Sequence, residues 1–171
     1  CDYPWPHMFD QLAAEYDRRY GMHYDSLKTI ARINYNNAAR NPFAQSRNWT
    51  IEAGHFSDND QLNPLIEGRM RKMDCGQITD GAACIFLASE RAARVYAQGR
   101  GLSLNEIPYI KGWGHRSAPL LLTEKLRISA QQPFIFPHVR LMVEDALKRA
   151  GMLSVNDLDG LETHDCFTVT E

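Results

Sequence analysis

The chain has 171 residues, the size of one domain or of part of a larger one. With 44% hydrophobic and 23% charged residues it is typical of globular proteins, which excludes a disordered or low-complexity chain. The net charge of −2 argues against a nucleic-acid partner, and no apolar run approaches the roughly 18 residues of a membrane span. Because the sequence begins at Cys1 rather than Met, we expect part of a longer or processed protein.

Two helices are predicted in the first third of the chain. Apolar residues four positions apart predict a helix over residues 7–20, on a line through Met8, Leu12, Tyr16 and Tyr20. A second run with helical spacing begins near Asp25 and stops before Asn41 and Pro42. Its stripe contains Leu27, Ile30, Ala31, Ile33, Asn34 and Ala38. Residues 43–64 are rich in Asn, Asp and Ser and predict an irregular connection with one short helix.

The middle of the chain combines strand and helix signals. The continuous apolar run 82–88 follows a turn and predicts a central strand that is buried on both faces. Ser89 is a suitable N-cap for a helix that ends at Gly99 and Gly101. The alternating segment 108–115 predicts a second strand, and a loop rich in Leu and Pro follows it.

The last third contains the clearest amphipathic pattern. It predicts a helix over residues 136–150, which Gly151 ends. Residues 158–166 then predict a strand with a polar tip. Because strands and helices alternate along the chain, we expect an α/β fold in which helices pack on a mixed sheet.

The residues with the clearest chemistry are His164 and Cys166, at the carboxyl end of the predicted strand 158–166, where α/β folds place their sites. A thiol can act as a nucleophile or as an acid and base, and a neutral imidazole can donate a hydrogen bond to a developing oxyanion. The spacing alone leaves open a structural alternative, in which a buried cysteine packs as a small apolar side chain beside a hydrogen-bonded histidine. The histidines and cysteines lack metal-ligand spacing, so we expect no metal site and free thiols in a reducing compartment.

Three segments resemble a single family. Residues 160–168, with His-Asp-Cys-Phe at 164–167, resemble the catalytic loop of the sterol-carrier-protein type thiolases. Residues 79–83, Thr-Asp-Gly-Ala-Ala, resemble the turn and strand that precede this loop throughout the thiolase superfamily. Residues 9–45 are similar to the helical part of the family's loop domain. The order of the segments also agrees, so the resemblance covers nearly the whole chain.

The resemblance implies a layered α/β/α thiolase-like fold and an acyltransferase. The implied reaction is the reversible thiolysis of a 3-oxoacyl-coenzyme A, or the reverse Claisen condensation, through an acyl-cysteine. His164 would help to form the oxyanion hole for the thioester oxygen, and Cys166 would act as acid and base. Coenzyme A and acyl-CoA would be substrates, with no tightly bound cofactor, and the intact protein would be a homo-oligomer, either dimer or tetramer. The expected compartment is the cytoplasm of a bacterium or, in a eukaryote, the peroxisome.

The resemblance also predicts how the chain divides. Residues 1–68 would be the end of the loop domain, residues 69–101 the last strand and helix of the N-terminal half, and residues 102–171 the start of the C-terminal half. The family's nucleophilic Cys-x-Ser motif and its Gly-His-Pro motif do not occur in the sequence, so we expect the chain to be inactive by itself. Cys75 and Gly76 occupy a turn that in many thiolases runs beside the pantetheine arm of coenzyme A, and they are candidate binding residues.

Two other functions stay open. One is a thiolase-like aldolase that has lost its nucleophilic cysteine and cleaves an acyl-CoA side chain with a small partner subunit. The other is a thiolase-like lipid carrier or scaffold without catalysis. His164 and Cys166 favour the acyltransferase, because we expect both to be kept only where thioester chemistry persists. The basic run 69–72 is interpreted as a solvated face.

Overall fold

The structure, a computed structural model, describes residues 2–171. About half of these residues are helical, counting α-helices and 3₁₀ helices together. The described chain forms two compact units. The first unit comprises residues 2–78, 121–123 and 161–171, and the second comprises residues 79–120 and 124–160.

Helix α1 (Pro4–Tyr20) confirms the first predicted helix. Its first turn contains prolines, which lack an N–H that would in any case find no partner there. The helix buries Leu12 and Ala13. The predicted apolar line continued through Tyr16 and Tyr20, but these side chains are 42% and 47% exposed, so that part of the prediction is wrong. A tyrosine can place its ring on either the apolar or the polar side of a helix, and the four-residue spacing does not decide between them.

Helix α2 (Tyr24–Arg40) confirms the second predicted helix. It buries Leu27 and Ala31 and ends before Asn41 and Pro42, because a residue that precedes proline avoids the helical conformation. The irregular connection that follows contains two short 3₁₀ helices: Gln45–Asn48 and Ala53–Phe56.

A short antiparallel hairpin follows, which the sequence did not predict. It consists of β1 (Leu65–Glu67) and β2 (Met70–Arg71), joined by a turn in which Gly68 has a φ of 52°. The backbone N–H of Arg69 donates to Oδ1 of Asp10 on α1 at 2.9 Å, which fastens the turn to the helix. Strands of two and three residues are too short to show the alternation that predicts a strand.

The core of the first unit joins distant parts of the chain. Ala13 of α1, Met70 of β2 and Phe167 near the end of the sequence form one buried cluster. Partly buried apolar residues pack around it: Phe9, Met22, Cys75, Cys166 and Val169. The C-terminal segment, which ends in a 3₁₀ helix at Thr168–Thr170, is therefore held against α1 and the hairpin.

Within the described residues, the second unit contains three α-helices and two 3₁₀ helices, Leu104–Glu106 and Val155–Asp157. In α3 (Glu90–Arg100), the predicted N-cap Ser89 accepts a hydrogen bond from the backbone N–H of Ala92 at 3.4 Å. The prediction that Gly99 helps to end this helix is wrong, because the helix continues through Gly99 to Arg100, and Gly101, at a φ of 68°, is its C-cap. A single glycine inside a helix costs only about 1 kcal/mol, which neighbouring turns can offset.

Two further helices follow in the second unit. Helix α4 (Leu122–Ser129) lies mostly there, in a region for which the sequence predicted a loop. Helix α5 (Pro137–Ala150) confirms the predicted amphipathic helix and ends at Gly151 with a φ of 72°. A Cβ atom at Gly112 or Gly114 would overlap backbone carbonyl oxygens of α5, so these glycines allow segment 108–115 to lie directly against the helix.

The three strands predicted at 82–88, 108–115 and 158–166 are wrong for the described chain, which pairs none of them into a sheet. Ile85 and Phe86 are 80% and 94% exposed, so the predicted burial of the central strand on both faces is also wrong. A strand needs a neighbour for its N–H and C=O groups. The apolar pattern of a segment predicts a capacity to pair, and it does not supply the partner.

Helices with a small sheet are compatible with part of an α/β thiolase-like fold. The layered α/β/α arrangement and the segments 1–68, 69–101 and 102–171 stay predictions. Among the described helices, none combines the length and the apolar character needed to cross a membrane.

Candidate active site

The first element of the candidate site is the turn that follows the hairpin. A 3₁₀ helix at Lys72–Asp74 places the side chain of Asp74 inside the first unit. One carboxylate oxygen of Asp74 accepts from the backbone N–H of Arg71 at 2.9 Å, and the other accepts from the hydroxyl of Thr168 at 3.0 Å. Burial raises the pKa of Asp74, and these two hydrogen bonds oppose the rise. Asp74 thus joins two segments that lie 94 positions apart.

Cys75 lies beside this carboxylate and is partly buried. Its thiol donates to the backbone carbonyl of Arg71 at 3.3 Å. Burial, with a smaller contribution from the charge of Asp74, raises the pKa of Cys75 to about 12. The thiol therefore stays protonated at neutral pH, which makes Cys75 a poor nucleophile and suits it to packing or to contact with a neutral ligand.

The predicted pantetheine-side turn and the predicted catalytic loop meet directly. Cys75 forms an isolated antiparallel bridge with Phe167, and the backbone N–H of Gly76 donates to the carbonyl oxygen of Cys166 at 2.6 Å. A Cβ atom at Gly76 would lie 2.9 Å from that oxygen. Only glycine leaves space for this contact, which explains why a glycine occupies position 76 in this turn.

Phe167 anchors the loop at residues 164–167 to the core of the first unit. Its ring stacks on that of Phe9 with the centroids 4.0 Å apart and the planes 17° apart. Cys166, the preceding residue, packs partly buried against the same core. The thiol of Cys166 therefore belongs to a side chain at the boundary between the core and the surface, and the Cys75–Gly76 turn holds the backbone at Cys166 and Phe167.

His164 is exposed, and its two neighbours in sequence are hydrogen-bonded to other side chains. Asn34 of α2 donates to Oδ2 of Asp165 at 2.5 Å, and the hydroxyl of Thr163 donates to Oε1 of Glu171 at 2.5 Å. The other oxygen of Asp165 is buried without a hydrogen-bond partner in the part of the chain that the structure describes. Burial raises the pKa of Asp165, and the nearby carboxylate of Glu171 adds to the rise.

Sequence reasoning missed the role of Asn34. The available signal was an amide in the otherwise apolar stripe of α2, since a polar residue on a packed face needs a partner. The partner could not be predicted, because Asp165 lies 131 positions away along the chain.

The basic run 69–72 contributes to the hairpin rather than to the site. Arg69 forms ion pairs with Asp10 at 3.4 Å and with Asp17 at 3.2 Å. Arg71 forms ion pairs with Asp58 at 3.4 Å and with Asp60 at 2.7 Å. These arginines are already paired with carboxylates of the same unit. In a basic ligand-binding patch, the arginines would instead be available for an anion.

Metal binding receives no support from the geometry. Residues 2–171 do not bring together three or more His, Cys, Asp or Glu side chains in a group that could hold an ion. Of the cysteines in the described range, Cys84 is exposed, and Cys75 and Cys166 are partly buried.

Comparisons with known proteins bear on nearly the whole chain. An acetyl-CoA acetyltransferase of Methanothermobacter thermautotrophicus is 27% identical over 96% of this chain and 38% of its own length. One of Methanocaldococcus jannaschii is 24% identical over the same shares. Human sterol carrier protein 2 is 25% identical over 97% of this chain and 28% of its own length. Over nearly its whole length the chain is therefore similar to proteins of the thiolase superfamily, sterol-carrier-protein type. No family model and no solved structure matches it.

The chain spans little more than a third of the length of the acetyltransferase relatives. The resemblance first based on residues 9–45, 79–83 and 160–168 is thereby confirmed at the level of the family. The catalytic roles of His164 and Cys166 and the binding roles of Cys75 and Gly76 stay predictions, to which the structure adds that all four lie in one unit.

Proposed function

We propose that the protein is a thiolase-type acyltransferase that acts on 3-oxoacyl-coenzyme A, and that its thioester lies against residues 164–166. The observation that carries the proposal is the contact between the Cys75–Gly76 turn and the His164–Phe167 loop. The resemblance assigns the first segment to the pantetheine arm and the second to the reacting thioester, and a single ligand needs both. The acetyl-CoA acetyltransferase relatives support the same reaction.

The proposed thiolysis begins with a nucleophilic cysteine thiolate from outside these 171 residues. The thiolate attacks the 3-oxo carbonyl, and the bond between the α-carbon and the 3-oxo carbon breaks. The electron pair of that bond passes to the thioester, which becomes an enolate. His164 donates a hydrogen bond to the enolate oxygen, and the Cys166 thiol gives its proton to the α-carbon, which forms acetyl-CoA. The Cys166 thiolate then takes the proton of a second coenzyme A thiol. The sulfur of that thiol attacks the acyl-cysteine and releases the shortened acyl-CoA.

The local structure suits these roles. The exposed ring of His164 is accessible to a ligand, whereas the side chains of Thr163 and Asp165 on either side of it are hydrogen-bonded. A donor that is fixed before the reaction stabilises a developing oxyanion by about 3–4 kcal/mol. Cys75 stays neutral because burial raises its pKa to about 12, so it adds no negative charge beside the enolate.

Thiolysis of acetoacetyl-coenzyme A by the natural protein tests this function. We expect Cys166→Ala to lower kcat by about 100-fold or more, because general acid–base catalysis contributes that much. Cys84→Ala is the matched control, because Cys84 is an exposed cysteine of the other unit, and we expect its kcat to match the wild type. Equal thiolysis rates for the wild type and Cys166→Ala would remove Cys166 from the mechanism.

A lipid carrier is the second candidate, and the names of some relatives favour it. They include sterol carrier protein 2 in several vertebrates and a non-specific lipid-transfer protein-like 2 of Caenorhabditis elegans. Binding of a fluorescent fatty acyl probe by the natural protein, with no thiolysis and no response to Cys166→Ala, would favour this function.

The remaining expectations belong to the same proposal. Coenzyme A enters as a substrate and not as a bound cofactor, and the natural protein forms a dimer or tetramer in the bacterial cytoplasm or the eukaryotic peroxisome. Sedimentation of the natural protein tests the oligomer. A monomer would exclude that part of the proposal without affecting the chemistry.

A further inference from the structure

Asn34 is a polar residue on the packed face of α2. It lies beyond the buried Leu27 and Ala31 on the same face of the helix and is itself partly buried. Its side-chain nitrogen donates to Oδ2 of Asp165 at 2.5 Å and to Oε2 of Glu171 at 2.9 Å. An amide nitrogen carries two hydrogens, so these two contacts use its full donor capacity.

Glu171 links Asn34 to Thr163, the residue on the other side of His164. While one of its oxygens accepts from Asn34, the other accepts from the hydroxyl of Thr163 at 2.5 Å. Thr163 and Asp165 flank His164 in the sequence. Asn34 therefore holds Asp165 directly and Thr163 through Glu171.

The ring between these two fixed neighbours is exposed. An oxyanion donor is effective when the protein has already fixed its direction, and supporting hydrogen bonds supply that order. We propose that Asn34, acting with Glu171, is a positioning residue that holds the side chains of Thr163 and Asp165 on both sides of His164 and so directs its ring to the thioester oxygen. The inference rests on the proposed function and assigns Asn34 no contact with the substrate.

Kinetics of the natural protein separate positioning from general stability. Asn34→Leu keeps a similar side-chain volume and removes both donors, and Asn36→Leu is the matched control on the exposed face of the same helix. We expect Asn34→Leu to lower kcat for acetoacetyl-coenzyme A thiolysis by about 10- to 100-fold with KM changed less than about twofold. Asn36→Leu is expected to leave both constants unchanged. An increase in KM with kcat unchanged would overturn the proposal.

A double variant tests whether Asn34 acts through His164. In a His164→Ala background, Asn34→Leu is expected to cause less than about a twofold further loss of kcat, because the ring that it positions is already absent. An equal loss in both backgrounds would mean that Asn34 acts independently of His164, which overturns the inference.

Hydrogen exchange gives a readout without activity. In Asn34→Leu we expect faster amide exchange in residues 163–166 and unchanged exchange in α1, relative to the wild type and Asn36→Leu. Unchanged exchange in 163–166, or equal loss of protection in α1, overturns the positioning role. If the wild type transfers no acyl group, the proposed function fails, and this exchange comparison still decides whether Asn34 orders the loop.

Discussion

A methyl group at position 76 is the smallest change that would separate the two segments of the candidate site. The Cβ atom of Gly76→Ala would lie 2.9 Å from the carbonyl oxygen of Cys166, 3.3 Å from its Cα atom and 3.4 Å from the carbonyl oxygen of Asp165. All three are backbone atoms, which cannot turn aside as a side chain could. Gly76 is not among the glycines with positive φ, so the cost arises from space and not from backbone strain.

The expected magnitude follows from two contributions. Overpacking of a close contact costs about 1–3 kcal/mol, and loss of the 2.6 Å hydrogen bond from Gly76 to Cys166 adds about 1 kcal/mol. We therefore expect Gly76→Ala to lower the free energy of unfolding by about 2–4 kcal/mol. Because the loop must move away from the turn, kcat for thiolysis should fall as well.

Urea denaturation of the natural protein, followed by circular dichroism, measures this change. Gly160→Ala is the matched control, because a Cβ atom there meets nothing within 4 Å. Gly99→Ala, inside α3 and equally unobstructed, should stabilise the protein by about 0.5–1 kcal/mol. If Gly76→Ala is as stable as Gly160→Ala, the described contact between the turn and the loop is refuted.

Further predictions concern the ring stack, the thiols and the buried carboxylate. Phe9→Ala removes the ring stacked on Phe167 and should lower the free energy of unfolding by about 2–4 kcal/mol in urea titrations; a change below about 0.5 kcal/mol would contradict the stack. Mass spectrometry after brief iodoacetamide treatment at neutral pH should find Cys84 labelled before Cys75, since burial raises the pKa of Cys75 to about 12; the reverse order would contradict its burial. Asp165 has a raised pKa in the folded protein, so its contribution to stability is greatest below the ordinary value of 3.8 and is lost as the pH rises through the raised value. Asp165→Asn should therefore gain stability relative to the wild type as the pH rises through that window, and a pH-independent difference would refute the shift.

Local signals in the sequence predicted α1, α2, α3 and α5 but missed α4. Proline at the start of α1, Ser89 before α3 and the glycines after α3 and α5 act within one turn of the residues that they cap. The strands failed for the opposite reason. Segment 82–88 has the composition of a buried strand, but pairing depends on partners that its own residues do not specify.

The candidate site was predicted in parts. His164 and Cys166 were selected from a short motif, and Gly76 from a turn, but the hydrogen bond that joins the turn to the loop is a property of the folded chain. The partnership of Asn34 with Asp165 was beyond prediction for the same reason. The sequence identifies side chains that could take part in catalysis or binding, and the fold determines which of them are in contact.

Deuterium exchange at the acetyl group of acetyl-CoA in D₂O tests the central claim most directly, because it reports removal of the α-proton at the thioester. The natural protein should incorporate deuterium, His164→Ala should do so about 100-fold more slowly, and Cys166→Ala should do so no faster than solvent alone. Incorporation by Cys166→Ala at the wild-type rate would contradict the claim that the loop at 164–166 performs this chemistry.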